Sequence, residues 1–153
     1  MSISSNPSFD VNQSQDLESL SASLSQDTPE DKLYTYILIR KDLNMPPGKM
    51  ASQAIHASRL SLLKYLKDNP HRAEEFITLN TCGSAVTLLA RHIADLERAQ
   101  REAEQAGLPY ALFSDSGHIM PPHFLGDPIT TALAIGPAPR EAMRSITKRF
   151  QCA

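Results

Sequence analysis

The sequence has few of the aromatic and cysteine residues on which several common classes of protein depend. It has no tryptophan, only 6% aromatic residues, and two cysteines, Cys82 and Cys152, among its 153 residues. Two cysteines so far apart form neither a disulfide framework nor a metal-binding set, so we expect reduced structural thiols. So few aromatic side chains argue against a surface that stacks many nucleic-acid bases.

Long apolar runs are also missing. No stretch approaches the roughly 18 apolar residues of a membrane span. The first residues show no basic region followed by an apolar one, as in a secretory signal, and residues 1–31 lack the arginines typical of mitochondrial transit peptides. We therefore expect a soluble cytoplasmic protein with enough hydrophobic residues, 41%, for the core of one domain.

Acidic and basic residues are unevenly distributed along the chain. Residues 1–31 hold six of the 17 acidic residues and none of the 15 lysines and arginines, which leaves 15 basic against 11 acidic residues in 32–153. The serine-rich, aromatic-poor composition of residues 1–31 predicts a disordered acidic tail, followed by a mildly basic folded domain at 32–153. Two interpretations of the tail stay open: it is solvated without a role, or it competes with an anionic ligand at the basic face.

Apolar patterns after the tail alternate between the strand period and the helix period. We predict strands at residues 34–39, 86–90, 108–113 and 131–135. We predict helices at about 49–67, 71–79, 95–106 and 140–150, and an irregular loop at 114–128. This order of elements predicts an α/β fold, a three-layer sandwich whose largely parallel sheet carries helices on both faces.

Residues 46–57, Pro-Pro-Gly-Lys-Met-Ala-Ser-Gln-Ala-Ile-His-Ala, combine a helix start with a polar stripe. A helix N-terminus presents unpaired N–H groups and a partial positive charge, both of which attract anions. Lys49 adds a full positive charge in the first turn, where a lysine weakens the helix. Because Lys49, Gln53 and His56 follow i, i+4, i+7 spacing, they lie on one face of the helix. The segment therefore predicts an anion-binding site.

Asp115 follows the third predicted strand, and the Lys49 loop follows the first. If these two strands are parallel, Lys49 and Asp115 emerge at the same edge of the sheet, where open α/β sheets bind ligands. A carboxylate beside a lysine and a helix N-terminus is suited to a polar substrate. Asp-Ser-Gly is also a common turn or capping sequence, so a purely structural role for Asp115 stays open.

Three motifs in order along the chain resemble type II peptidyl-tRNA hydrolases. They are Gly-Lys-x-x-x-Gln-x-x-His-Ala at 48–57, Asp-Ser-Gly at 115–117 and Thr-Ala-Leu-Ala-Ile-Gly-Pro at 131–137, and Lys-Asp-Leu at 41–43 also fits. The resemblance spans about residues 33–150. It implies a compact α/β fold with a central four-stranded mixed sheet, often dimeric. It also implies cleavage of the ester between a peptide and the terminal ribose of tRNA.

The resemblance also implies roles for particular residues. Lys49 and Asp115 match the principal functional residues of that family, Gln53 matches a glutamine on the same helix, and Thr131 matches the threonine that opens the final strand. Lys49 would bind a tRNA phosphate or stabilise the developing oxyanion. Asp115 would orient the attacking water, since a neighbouring cation makes a carboxylate a weaker base.

The chain departs from the family pattern just after Asp115. Ser116 stands where the family usually has alanine, and Ile119 replaces a threonine implicated in the family's site. Ser116 is therefore a candidate hydroxyl near the substrate. Besides peptidyl-tRNA hydrolysis, two readings stay open: a non-catalytic relative that binds tRNA or a protein, and a deacylase of another charged tRNA.

Further substrate contacts are predicted outside these motifs. Arg140, Arg144 and Lys148 recur every four residues along the final helix, either as an ordinary solvated face or as a track for tRNA backbone phosphates. His56 lies about 10 Å along the helix from Lys49. A packing role for His56 is therefore favoured, and it contacts substrate only if the substrate runs along the helix.

Neither a metal site nor a covalent nucleophile is predicted. His118 and His123 flank Met-Pro-Pro but lack further ordered ligands. Gly-x-Ser-x-Gly is absent, and neither cysteine lies in a nucleophile motif. The sequence favours direct attack by water without a cofactor.

Overall fold

The computed structural model describes residues 32–153, and the predicted tail at 1–31 lies outside them. The strands are β1 (Leu33–Arg40), β2 (Ser84–Ala90), β3 (Tyr110–Asp115), β4 (Ile119–Met120), β5 (Phe124–Leu125), β6 (Ile129–Pro139) and β7 (Gln151–Cys152). The helices are α1 (Pro47–Asp68), α2 (His71–Thr78), α3 (Ile93–Gln105) and α4 (Arg140–Thr147), with a 3₁₀ turn at Lys41–Leu43. In this part of the chain, no helix is both long and apolar enough to cross a membrane.

The central strand β1 is buried on both faces because helices cover both sides of the sheet. Ile37 and Ile39 face the layer that contains Ala57 of α1. Tyr36 and Leu38, the alternate positions, face a second core built with α3 and α4. The predicted three-layer sandwich is therefore confirmed.

The main sheet has five strands rather than the predicted four, in the order β3-β6-β1-β2-β7. The additional strand is β7, whose two residues pair with Leu88 and Leu89 and are too few to show an alternating pattern. β1 and β2 are parallel, while β6 runs antiparallel to both β1 and β3. β1, β2 and β3 therefore share one direction, and the α/β class is confirmed for a mixed sheet. The prediction of a largely parallel sheet is wrong, because β6 lies between β1 and β3 in the opposite direction and only the pairing of β1 with β2 is parallel.

β6 is longer than the predicted strand at 131–135, and it continues through Gly136, where we expected it to stop. The register between β6 and β1 shifts at this point, which marks a bulge. Gly136 has φ +113°, and a Cβ there would collide with the Tyr34 carbonyl oxygen. Only glycine allows the strand to continue here.

The predicted irregular loop at 114–128 contains a small hairpin. Its residues 114 and 115 complete β3, and β4 then pairs with β5, with Ile119 opposite Leu125 and Met120 opposite Phe124. Phe124 is buried against the α1 layer, whereas Ile119 and Leu125 are 73% and 65% exposed. The hairpin therefore presents one face to the core and the other to solvent.

Candidate active site

The first turn of α1 meets the end of β3 at the carboxyl edge of the sheet. The Lys49 Nζ donates to the Asp115 Oδ2 at 2.6 Å. The two side chains are only 11% and 14% exposed. The structure therefore places Lys49 and Asp115 together at one edge, because β1 and β3 run in the same direction.

Gln53 and Thr131 extend this pair into a hydrogen-bonded chain. The Gln53 Nε2 donates to the Asp115 Oδ2 at 3.1 Å, and the Thr131 hydroxyl donates to the Gln53 Oε1 at 2.6 Å. Gln53 and Thr131 are 4% and 0% exposed. Because the threonine hydroxyl satisfies the amide oxygen, the amide N–H₂ is directed at the carboxylate.

The chain of hydrogen bonds leaves specific groups available for a ligand. Both contacts to Asp115 use Oδ2, and within residues 32–153 no hydrogen bond reaches its Oδ1. The Lys49 ammonium has three N–H donors, of which one is directed at Asp115. One carboxylate oxygen and two ammonium donors therefore remain to meet a water and a substrate.

Phe124 forms the apolar floor beneath the lysine. Its ring centroid lies 4.2 Å from the Lys49 Nζ, and the residue is 1% exposed. The His118 ring packs edge-on against the Phe124 ring, with 5.9 Å between the ring centroids. A cation over an aromatic face is held electrostatically, so Phe124 helps to keep Lys49 in place. We did not predict this residue, although two apolar pairs, 119–120 and 124–125, were a usable hairpin signal.

Arg40 joins the carboxyl end of β1 to the start of β6 beside this chain. Its guanidinium donates to the Thr130 carbonyl oxygen at 3.0 Å and to the Asp42 Oδ2 at 2.7 Å. The hydrogen bond from Arg40 holds the pKa of Asp42 below its ordinary value, against the opposing effect of burial. The Arg40 side chain therefore joins the end of β1 to the start of β6 directly beside Thr131.

Three other predicted residues lie outside the hydrogen-bonded chain. His56 is exposed, and its ring stacks on Phe113 with a centroid distance of 4.6 Å. Ser116 is exposed on the segment between β3 and β4. Ile119 lies on the solvent face of the hairpin, opposite to the face that carries Phe124. Their contacts with substrate stay predictions.

Arg140 and Arg144 lie on α4, which packs on the face of the sheet opposite to α1, and Lys148 directly follows this helix. All three are exposed and line a groove of about 380 Å³ together with Tyr34. The structure does not bring them next to Lys49 and Asp115. Their binding to tRNA phosphates stays a prediction.

Residues 32–153 contain no group of three or more His, Cys, Asp or Glu side chains placed to hold a metal ion. His118 and His123, the two histidines considered above, are both exposed. His118 contacts an aromatic ring, as described, rather than a set of ligands.

Comparison with known proteins gives consistent matches to one family. The family model described as "Peptidyl-tRNA hydrolase PTH2" matches residues 33–153. The "Probable peptidyl-tRNA hydrolase 2" of Dictyostelium discoideum is 33% identical over 115 residues, which cover 75% of this chain and about half, 52%, of that protein. The "Peptidyl-tRNA hydrolase" of Thermococcus onnurineus is 33% identical over 112 residues, 72% of this chain and 89% of the relative. That of Saccharolobus islandicus is 28% identical over 113 residues, 72% of this chain and 91% of the relative.

Proposed function

This chain belongs to the peptidyl-tRNA hydrolase PTH2 family, and on that premise we propose that it hydrolyses the ester bond between a peptide and tRNA. The observation that carries the proposal is the chain of hydrogen bonds from Thr131 through Gln53 to Asp115 and Lys49 at the carboxyl edge of the sheet. The products are a free tRNA and a free peptide.

Water attacks the ester directly in this proposal. The Oδ1 of Asp115 accepts a hydrogen bond from the water and directs its oxygen at the carbonyl carbon. As the new C–O bond forms and the ester C–O bond breaks, the ribose oxygen leaves and takes up the proton that the water released. Asp115 orients this water in one position, because the Lys49 ammonium and the Gln53 amide hold its other oxygen at 2.6 and 3.1 Å.

Lys49 and Gln53 supply the polar contacts to the reacting group. The free N–H donors of Lys49 stabilise the negative charge that develops on the carbonyl oxygen, or bind a phosphate near the 3′ end. Gln53 helps to fix the carboxylate by donating to the same oxygen, Oδ2. Thr131 is a positioning residue, since its hydroxyl reaches the substrate only through Gln53.

The test is hydrolysis of an N-acetylated aminoacyl-tRNA. We expect Lys49→Ala and Asp115→Ala each to lower kcat by roughly 10²–10³-fold, because each removes a preorganised electrostatic contact. Lys67→Ala and Asp127→Ala are matched controls, since both residues are exposed and carry the same charges. If Lys49→Ala and Asp115→Ala turn over like the controls, with folding verified by circular dichroism, the assignment of the site is wrong.

The same assay separates hydrolysis of peptidyl-tRNA from related activities. Faster release from blocked than from unblocked aminoacyl-tRNA supports the proposed function. Preference for an unblocked substrate would indicate a deacylase of charged tRNA. Salt-dependent tRNA binding without any turnover would indicate a non-catalytic relative. The replacement of the family threonine by Ile119 would then be the feature that accounts for the loss of activity.

We propose that tRNA is recognised mainly through its phosphate backbone and its 3′ end. Ser116, which directly follows Asp115, and His56, about one turn beyond Gln53 on α1, are both exposed and contribute contacts to the 3′ end. Arg140, Arg144 and Lys148 contribute contacts to phosphates. A cytoplasmic location is part of the proposal, because the substrate is an intermediate of translation.

We also propose that two copies of the chain associate through the exposed apolar surface of α1 and α2. Leu63 and Ile77 are 64% and 80% exposed, and Leu79, which follows α2, is 45% exposed. Large apolar side chains that are this exposed often mark protein interfaces. Sedimentation equilibrium measures the association directly.

A further inference from the structure

We propose that the body of the tRNA lies along α4, on the face of the sheet opposite to α1, and that the 3′ end crosses the carboxyl edge of the sheet to reach Lys49 and Asp115. The inference rests on the proposed function, because it takes tRNA as the substrate. It adds which face holds the tRNA and in which direction the strand approaches the ester site.

The groove beside α4 has the charge that a phosphate backbone requires. Arg140, Arg144 and Lys148 all line it, and no acidic residue does. Within residues 32–153, neither Arg140 nor Lys148 forms a salt bridge, and Arg144 approaches only Glu141, at 3.8 Å. These cations are therefore available to a ligand, and Tyr34 in the floor offers a half-buried ring.

Arg140, Arg144 and Lys148 form a basic stripe that runs from the amino edge of the sheet to the carboxyl edge. Arg140 directly follows Pro139, which pairs with Leu33 at the amino end of β1. After Lys148 the chain enters β7, where Gln151 pairs with Leu89, one residue before the end of β2. The end of the stripe at Lys148 therefore approaches the edge at which Asp115 lies.

A second cavity continues this path across the edge. It has a volume of about 450 Å³ and lies between the segment that follows α4 and the carboxyl ends of β1 and β2. Its lining includes the cations Lys41, Arg91 and Arg149 and one acidic residue, Asp95. Arg91 and Arg149 are paired with Asp95 and Glu102, but Lys41 forms no salt bridge within the described residues. From β2 the sheet continues through β1 and β6 to β3, a span of about 14 Å at the usual spacing of strands. The unpaired 3′ end of a tRNA can span this distance.

The alternative face, formed by α1, is less suited to a phosphate backbone. Its cations Arg59, Lys64 and Lys67 alternate with exposed leucines, of which Leu60 is 41% and Leu63 is 64% exposed. Lys64 is also engaged with the Tyr110 carbonyl oxygen at 3.2 Å. The mixed apolar character of α1 fits a protein partner, whereas the groove at α4 fits RNA.

The experiment compares two double variants on two substrates. Arg140→Ala with Lys148→Ala removes the two unpaired cations of α4, and Arg59→Ala with Lys67→Ala removes one arginine and one lysine from the α1 face as a matched control. The substrates are an N-acetylated aminoacyl-tRNA and a short oligonucleotide that ends in CCA and carries the same N-acetylated aminoacyl ester. The kcat/KM of each is measured from low to high salt, and thermal melting verifies that both variants fold.

We expect the α4 variant to lower the ratio of kcat/KM for tRNA to that for the oligonucleotide about ten-fold. We expect its salt dependence for tRNA to become less steep by about one unit of log–log slope per cation removed. The control variant keeps the wild-type ratio and slope. These results together support the proposed path.

Two results would overturn the inference while leaving the proposed function in place. One is an unchanged ratio in the α4 variant, and the other is a larger fall in the α1 variant. Binding of poly-glutamate that is lost in the α4 variant while the ratio is unchanged would assign the groove to an acidic peptide, which also overturns it. By contrast, a wild-type protein that cleaves neither substrate would refute the proposed function itself.

Discussion

At the scale of single residues, the amide of Gln53 connects the carboxylate to the rest of the fold. Its oxygen accepts from Thr131 and its nitrogen donates to Asp115. If the amide rotated by half a turn, two oxygen atoms would face each other at Asp115. The Asp115 carboxylate excludes this, because an ionised carboxylate only accepts hydrogen bonds, and the buried Thr131 hydroxyl supports the observed orientation by donating to the amide oxygen. A threonine that does not reach the substrate therefore helps to hold the carboxylate.

Thr131→Val removes this hydroxyl and keeps the shape of the side chain. We expect kcat to fall by about ten-fold or more, since Gln53 no longer holds Asp115 in one geometry. We expect a loss of about 1–3 kcal/mol in the free energy of unfolding, because the buried amide oxygen loses its donor. Steady-state kinetics and urea unfolding measure the two effects. Thr131→Ser is the control that restores the hydroxyl; a Thr131→Val protein with normal kcat would refute the positioning role.

At the scale of elements, one ion pair joins α3 to the segment that follows α4. Glu102 of α3 accepts from Arg98 at 2.9 Å and lies 2.6 Å from the Arg149 guanidinium. Burial raises the pKa of Glu102, but the guanidinium groups of Arg149 and Arg98 outweigh it and hold the pKa below its ordinary value of 4.5. The carboxylate therefore stabilises the folded state whenever it is ionised.

This pairing predicts a pH-dependent contribution to stability. Because the pKa of Glu102 is lower in the folded state, its stabilisation is present above the ordinary value and is lost as pH falls through the folded value. We expect Glu102→Gln to lower the free energy of unfolding at pH 7 by up to about 1 kcal/mol, and the difference to disappear in acid. Urea unfolding from pH 7 to pH 3 measures it. Glu97→Gln, at an exposed position on the same helix, is the control and should show no such trend.

At the scale of the whole molecule, every residue of the proposed site lies in the part of the chain that matches the family. The match covers residues 33–153, and the chain from Thr131 to Lys49 lies within it. The predicted acidic tail at 1–31 precedes this region and lies outside the described residues.

A protein that consists of residues 32–153 is therefore expected to hydrolyse N-acetylated aminoacyl-tRNA with the kcat of the full chain, within about two-fold. Kinetics on both proteins at low and high salt measures this. Unchanged tRNA affinity at low salt would rule out competition by the tail, while tighter binding after truncation would support it. Loss of turnover in a folded truncated protein would contradict the prediction.

Local patterns in the sequence predicted much of the fold and of the site. Helical spacing places Lys49 and Gln53 on one face of α1, because that spacing depends only on the backbone period of a few neighbouring residues. A short, almost continuous apolar run marks the strand β1, which is buried on both faces. The motifs at 48–57, 115–117 and 131–137 pointed to the family that the comparisons then established. The two-residue strands were not predicted, since so short a segment has no measurable period; for β4 and β5 the only local signal was a pair of apolar residues in each strand.

What only the tertiary structure decided is how distant segments meet. Gln53 contacts Asp115 and Thr131 across 62 and 78 positions of the chain, and strand order and register bring them together. The same order places Arg140 and Lys148 on the opposite face from Lys49, and the β4–β5 hairpin places Phe124 beneath the lysine. The sequence by itself determined the chemistry of the side chains and their local spacing. Which of them share a site was decided by long-range strand pairing, because no local backbone period specifies the position of a neighbouring strand.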